Sequence, residues 1–412
     1  MIISKFLPMP KINRRLPFSI VFLFLCCNAV FAAAVKVNST TAHSQTMPDV
    51  ASRGSDVAVV WQSDANYHLE ITAAASSDGG RTFGDDVSIA GKEGEIHREP
   101  AVAWGPGGEL YVAWQANTDN LDYDVLVSVS NDKGRTFSLP VRVGSHKVGN
   151  QLFPAIAVAP DGRLHVAWHD NRDAPGFYHI YTAYSEDGGR TFTPGMRVSG
   201  EADRLNLWPS IWAGENRVAI AWQGNAAGGF EIFTAVSSDG GDTFSSPSSP
   251  PDRGDRDRQF PSVSESGGNL QVVWSENFKI RPPGSDRMYR HPRAQSDILF
   301  SQVKEETGFS SPVRINGQET GQQLRPDVLP TGTGGSVIAW FDGRSIADFD
   351  IYVASGINGR FEPERRINET EHSDSRNPRI AISGDSLVIV WQDDVEGNYE
   401  IYSSRVPLDN LR

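Results

Sequence analysis

Cysteine is almost missing from this chain: two among 412 residues, Cys26 and Cys27, side by side near the start. Positive charge is scarce, with 38 basic residues against 51 acidic ones. No segment sustains a helical apolar period, no His/Cys group has zinc-ligand spacing, and no glycine-rich phosphate loop links a strand to a helix. Long apolar runs are also lacking; Phe18 to Cys27 is the one candidate, and it is too short for an ordinary membrane-spanning helix. These absences exclude a disulfide framework, a general nucleic-acid or anionic-membrane binder, and a helical fold. They also leave no metal site and no cofactor to expect.

What is present starts with a leader. Lys5, Lys11, Arg14 and Arg15 precede the apolar run, and Val30-Phe31-Ala32 offers small residues where a signal peptidase needs them. Residues 1–32 therefore read as a secretory signal peptide and 33–412 as one domain, exported to the periplasm or beyond. Cleavage removes both cysteines and those four positive charges. The 38 basic residues become 34 against 51 acids, a net of −17. The mature chain is expected to be a monomer without a transmembrane segment.

The remainder, with 39 Gly, 25 Pro and ten Trp, is one sentence written seven times. Each copy opens on a proline (Pro48, Pro100, Pro154, Pro209, Pro261, Pro326, Pro378). Each closes its second apolar run on a tryptophan 13 or 14 residues later (Trp61, Trp114, Trp168, Trp222, Trp274, Trp340, Trp391). Runs such as Leu387-Val388-Ile389-Val390-Trp391 are short and β-branched, hence strands, and turn segments such as Pro160-Asp161-Gly162 separate them. A third strand follows in every copy, then a fourth in six of them. Val35-Lys36-Val37-Asn38 matches the fourth strands Val313-Arg314-Ile315-Asn316 and Arg366-Ile367-Asn368. The pattern predicts an all-β, seven-bladed β-propeller of four-stranded blades, labelled A to D from the axis outward. The mature N-terminal strand supplies the last D strand and closes the ring.

Four copies place S-x-D-x-G-x-T-F between strands C and D: Ser76–Phe83, Ser130–Phe137, Ser185–Phe192 and Ser237–Phe244. An Asp carboxylate there can accept turn amides while Gly takes positive φ, so Asp78, Asp132, Asp187 and Asp239 read as structural. These hairpins resemble the Asp boxes, or BNR repeats, of the sialidase superfamily. The resemblance spans the mature chain and is specific for fold rather than chemistry. It implies, for an active sialidase, an arginine triad, a Tyr nucleophile with an activating Glu, and an Asp acid/base. The Arg-Ile-Pro motif of that pattern is absent, and no Tyr–Glu pair stands out. Sialidases of this type have six blades; seven-bladed Asp-box rings include xyloglucan-hydrolysing enzymes and photosystem assembly factors.

What repeats is read as architecture, and what breaks the repeat as a candidate for function. The D–A and B–C loops form the mouth of such a ring. There the breaks are Arg98, Arg172, Arg258, Arg325, Arg344 and Arg376, and the long B–C loop of blade 5 with Arg287, Tyr289 and Arg290. Guanidinium forks suit carboxylate, sulfate or phosphate groups. These features favour a non-catalytic propeller that binds a glycan or another anionic envelope or extracellular partner at its mouth. An exo-acting glycoside hydrolase of sialidase type and a structural assembly module are the alternatives.

Overall fold

The computed structural model describes residues 33–411, apart from 66–67, 92–93, 118–121, 145–147, 174–175, 201–204, 227–228, 252–255, 279–294, 305–307, 318–319, 345–347 and 371. The leader lies outside the described residues. Seven antiparallel sheets follow one another along the chain, one per Pro–Trp unit, and each is a meander in the order A-B-C-D. In blade 4 the D strand shrinks to a single bridge, Thr234 to Ser248. The one helical element among the described residues is a 3-10 turn, Leu408–Leu411. No described helix is long and apolar enough to cross a membrane.

The B strands carry the apolar runs because they are covered on both faces by neighbouring blades. All seven repeat tryptophans are 0–1% exposed. Most indole N–H groups find an acceptor in their own blade. Gln45, His97 and Asn206, at the start of strand A, serve Trp61, Trp114 and Trp222. Asp170, Asp342 and Asp393, two residues beyond the ring, serve Trp168, Trp340 and Trp391.

The register around each tryptophan explains the proline. In blade 1, Thr46 pairs Gln62 and Asp49 pairs Val60, so Met47 and Pro48 together oppose Trp61. The same interruption recurs in the A–B pair of all seven blades. It is a β-bulge, and proline fits because a bulge position has no ladder bond to donate. The residue before each proline is forced to φ between 50° and 55°: Met47, Glu99, Phe153, Trp208, Phe260, Arg325 and Asn377.

Closure occurs where the sequence places it. Val35–Lys36 pairs with Glu400–Pro407, adding the fourth strand to blade 7. Asn38 Oδ1 accepts the Ile401 amide at 2.7 Å, and its side-chain amide donates to Glu400. Asn316 and Asn368 make the same pair of bonds in blades 5 and 6, to Ile298 with Asp297 and to Ile351 with Asp350. The matched tetrapeptides therefore share a function: each Asn clamps strand D to the start of strand C.

The four S-x-D-x-G-x-T-F hairpins are alike. In blade 3, Asp187 Oδ1 accepts the amides of Arg190 and Thr191, and Oδ2 accepts the Thr191 hydroxyl at 2.6 Å. Ser185 Oγ donates to Asp187 and accepts the Gly189 amide. Gly79 and Gly240 donate to Ser55 and Asn216 in the A–B turns, so the hairpins share the face of those turns, away from the start of strand A. The Thr hydroxyl, followed by turn amides and the Ser hydroxyl, holds Asp187 and Asp132 at about 2. The same groups in a slightly different order hold Asp239 at about 2. In Asp78 burial pulls the value up, and the bonds from Thr82, Ser76 and Arg81 outweigh it.

Two predictions follow from this framework. Deleting residues 33–40 strips blade 7 of its D strand and both Asn38 bonds, and the melting temperature is expected to fall by about 10 °C or more, an order-of-magnitude figure for losing a ring closure; an unchanged value would show that the strand does not close the ring. Asp187→Ala orphans two turn amides and is expected to lower the melting temperature by roughly 2–5 °C at pH 7. Because the folded carboxylate titrates below its ordinary value of 3.8, its stabilisation is present above about pH 4 and lost as pH falls toward 2. Thermal melts of wild type and variant should therefore converge in that window.

Candidate channel-mouth site

Six of the seven residues that precede the repeat prolines line one cavity of about 330 Å³ on the axis: Met47, Glu99, Phe153, Trp208, Phe260 and Arg325. The bulge turns each of these side chains out of its own sheet and toward the channel. Bulky residues rarely take this conformation, and strain of this kind concentrates at functional positions. Here the surrounding structure holds it with side chains from the preceding blade. Gln392 accepts the Met47 amide at 2.9 Å, Gln115 that of Phe153 at 2.8 Å, and Gln223 that of Phe260 at 3.0 Å. His169 Nδ1 accepts from Trp208 at 3.3 Å. Burial keeps His169 neutral down to about 3, so this ring nitrogen remains an acceptor.

The ring is chemically divided. Over blades 3 to 5 the aromatic side chains touch in sequence. Tyr178 meets His169 edge-on at 4.9 Å, His169 meets Phe153 at 5.2 Å, Phe153 meets Trp208 at 5.5 Å, and Trp208 meets Phe260 at 4.9 Å. Arg325 continues the arc, its guanidinium carbon 5.2 Å from the Phe260 centroid. Blades 6, 7, 1 and 2 complete the circle with Arg325, Asn377, Met47 and Glu99.

One level deeper, the residue after the proline joins neighbouring blades wherever it is polar; in blades 2 and 3 it is Ala101 and Ala155. Asp49 accepts the Val102 amide, Ser210 that of Val263, Ser262 that of Val328, and Asp327 that of Ile380, all at 2.8–3.3 Å. In blade 7 this position is Arg379, whose Nε lies 3.6 Å from Asp49 Oδ1. The channel thus holds three carboxylates, Asp49, Glu99 and Asp327, and two guanidiniums, Arg325 and Arg379. Burial raises Asp49 from 3.8 to about 6, against the opposing pull of Arg379. Burial also raises Glu99, opposed by Arg325, Arg379 and Arg98, and lowers Arg325.

The arginines singled out from sequence do not converge. Arg258 is wholly buried: its Nε donates to Glu276 at 2.9 Å, and its other nitrogens reach Glu231 and the carbonyls of Pro250 and Pro251. It occupies the position held by Gln45, His97 and Asn206 in other blades, and Trp274 Nε1 has no acceptor among the described residues. Arg172 is forked onto Asp170 and covers Tyr181. Arg344 pairs Asp342 and Glu364 and covers Tyr352. Arg376 pairs Asp374 and covers Phe349. All four are paired within the ring. Arg98 is exposed on strand A of blade 2. Arg287, Tyr289 and Arg290 lie outside the described residues. Among the described members of the set, Arg325 alone lines the channel. The residues missed are its partners in the ring and Arg379 and Asp49 beneath. For the ring the sequence carries a signal: the residue before the repeat proline takes six identities in seven copies. No group of metal-ligating side chains occurs among the described residues.

Comparison with protein-family models and with curated protein sequences finds no match. Solved structures do match. A Dyadobacter fermentans protein of unknown function aligns with TM-score 0.56 at 12% identity, over 92% of this chain and 98% of that one. The Penicillium chrysogenum α-L-arabinanase complexed with arabinobiose aligns with TM-score 0.52 at 14% identity, over 77% and 94%. The Trypanosoma rangeli sialidase in complex with the inhibitor DANA aligns with TM-score 0.51 at 13% identity, over 91% and 58%. The chain shares with them the sialidase-type β-propeller fold.

The buried carboxyl in the channel has a measurable consequence for stability. Asp49 titrates above its unfolded value, so its favourable protonated state is complete below about pH 4 and lost as pH rises through 6. Asp49→Asn keeps an acceptor for the Val102 amide and cannot ionise. Its melting temperature is expected to exceed that of wild type by several degrees at pH 8, with the two curves meeting below pH 4. A variant less stable than wild type at pH 8 would show that the ion pair with Arg379 outweighs burial.

Proposed function

We propose that this protein is a saccharide-binding propeller that takes its ligand at the channel mouth, sugar faces against Phe153, Trp208 and Phe260 and polar or anionic substituents at Arg325 and Arg379. The observation that carries this reading is the aromatic arc ending in a guanidinium, four consecutive ring positions lining a concave pocket. Such a site offers a large apolar surface with few oriented polar groups, the usual composition of a small-molecule pocket. Two neighbours in fold, the arabinanase complexed with arabinobiose and the sialidase, act on sugars by their names, which supports the same ligand class here. The leader sequence supports action outside the cytoplasm, in the periplasm or beyond, by a monomer.

Binding without turnover is the favoured reading because Arg172, Arg258, Arg344 and Arg376 are held in ion pairs within the ring, and Arg325 and Arg379, which line the channel, fall short of the arginine triad that an active sialidase would need. Glycoside hydrolysis is the second reading, favoured by one observation: Asp49, raised to about 6, is poised to exchange a proton near neutral pH.

Calorimetry against a panel of neutral and acidic oligosaccharides tests both. Trp208→Ala and Arg325→Ala are expected to weaken binding about tenfold or more, some 1.4 kcal/mol each. A folded Trp208→Ala protein that binds like wild type would move the site away from the channel. Turnover of a fluorogenic glycoside, abolished by Asp49→Asn, would replace the binding reading with the hydrolase.

A further inference from the structure

The channel's charges are nearly balanced, and they come from four blades. Asp49 of blade 1 faces Arg379 of blade 7, the Val102 amide of blade 2 and, further off, Asp327 of blade 6. Glu99 of blade 2 faces Arg325 of blade 6 and Arg379 of blade 7, with Arg98 on its own strand. Asp327 is held by the Ser262 hydroxyl and the amides of Val328 and Ile380. His169, beside the aromatic arc, is the remaining titratable ring near the mouth and stays neutral down to about 3. With all groups ionised, three carboxylates face two guanidiniums. If the two carboxylates that lack a hydroxyl donor, Asp49 and Glu99, take up protons, two guanidiniums face one carboxylate.

We propose that the channel mouth is a pH-gated anion acceptor, which sheds negative charge in mild acid, takes an acidic ligand there and releases it as pH rises. The inference deepens the saccharide reading by fixing when an acidic sugar would be held. Several features support it independently of that ligand. The two guanidiniums cannot lose their charge in this range. The Asp49–Arg379 pair is open at 3.6 Å and has no side-chain hydrogen bond to lock it. Burial raises Asp49 to about 6, which places its change near physiological acidity, and it raises Glu99 in the same direction. A cavity of about 330 Å³ with low-dielectric walls focuses the resulting field.

The channel contains its own reporter. Seven tryptophans are buried in the blades, Trp104 and Trp212 are half-buried, and Trp208 and Trp212 both line the cavity, with Trp208 in the ring of residues before the prolines. Emission lost on Trp208→Phe substitution isolates its signal, and the substituted protein corrects for the charge of the whole molecule. Iodide, caesium and acrylamide serve as anionic, cationic and neutral quenchers. Between pH 7.5 and 5, iodide quenching of the Trp208 signal should rise about twofold or more, caesium quenching should fall, and acrylamide should not change. Asp49→Asn, which preserves the Val102 bond, should flatten most of the shift. Glu99→Gln should flatten the rest, and serves alone if the first variant does not fold. Iodide and caesium moving together, no pH dependence, or a shift that survives both substitutions would each overturn the proposal. A second arm measures binding of digalacturonate and a matched neutral disaccharide at pH 5 and 7.5. A pH-dependent change in ion access without sugar binding sinks the saccharide reading and leaves the gate. Sugar binding with pH-independent ion access does the opposite.

Discussion

A proline with no amide hydrogen, set opposite a tryptophan, is the constraint on which this molecule turns. Proline cannot donate to the ladder, so strand A must bulge there, and the bulge places two residues against the indole. The residue before the proline is driven into left-handed backbone conformation and its side chain is turned into the axis. Strain of this type costs on the order of 1–3 kcal/mol per residue in general. It is tolerated because the bulge is over-determined. Proline fixes one side, the packed tryptophan the other, and in blades 1, 3, 4 and 5 a Gln or His from the preceding blade takes the strained amide.

The same geometry joins blade to blade. One residue past the proline, a short polar side chain reaches the next blade's backbone, as Asp49 does to Val102 and Asp327 to Ile380. Each bond is ordinary, worth about 1 kcal/mol. Their arrangement matters more, because a ring that shares bonds across every seam gains only if all seams close together. The Asn38 clamp completes the outside of the ring, and the bulge bonds complete the inside. The hairpins of blades 1 to 4 act more locally, and blades 5 and 6 fold with eroded versions of them.

The fold was legible because its determinants recur. Proline and tryptophan at fixed spacing, Asn at the end of strand D, and Ser and Asp in the C–D turn each bear on one blade and so are copied with it. The site was less legible for a reason that is also physical. Arginines in loops stand out by side-chain type, and the sequence does not say which of them close onto an acid of the same copy. Arg172 stands two residues from Asp170, and Arg344 two from Asp342, close enough to close a fork onto the carboxylate over an aromatic ring. Arg258 lies across a strand pair from Glu276. Meanwhile the residue before the proline was passed over because its position repeats, although its identity does not. A repeat fold copies a direction, and the side chain placed in that direction is free to differ.

That separation lets one scaffold carry an uneven site. Met, Glu, Phe, Trp, Phe, Arg and Asn all occupy the same backbone conformation, so the strain is the same whatever chemistry faces the channel. The two arcs meet at Phe260 and Arg325, where a guanidinium already lies over an aromatic face. There Arg325 has given up part of its hydration to the ring and to the surrounding wall, and burial accordingly lowers its basicity. A ligand that brings an acceptor to this seam adds a charge-assisted bond at a group whose desolvation is largely complete, while its apolar face covers rings that water hydrates poorly. On the proposed binding reading, the seam between blades 5 and 6 is where affinity would concentrate, and it is set by two residues whose only common feature is the proline that follows each of them.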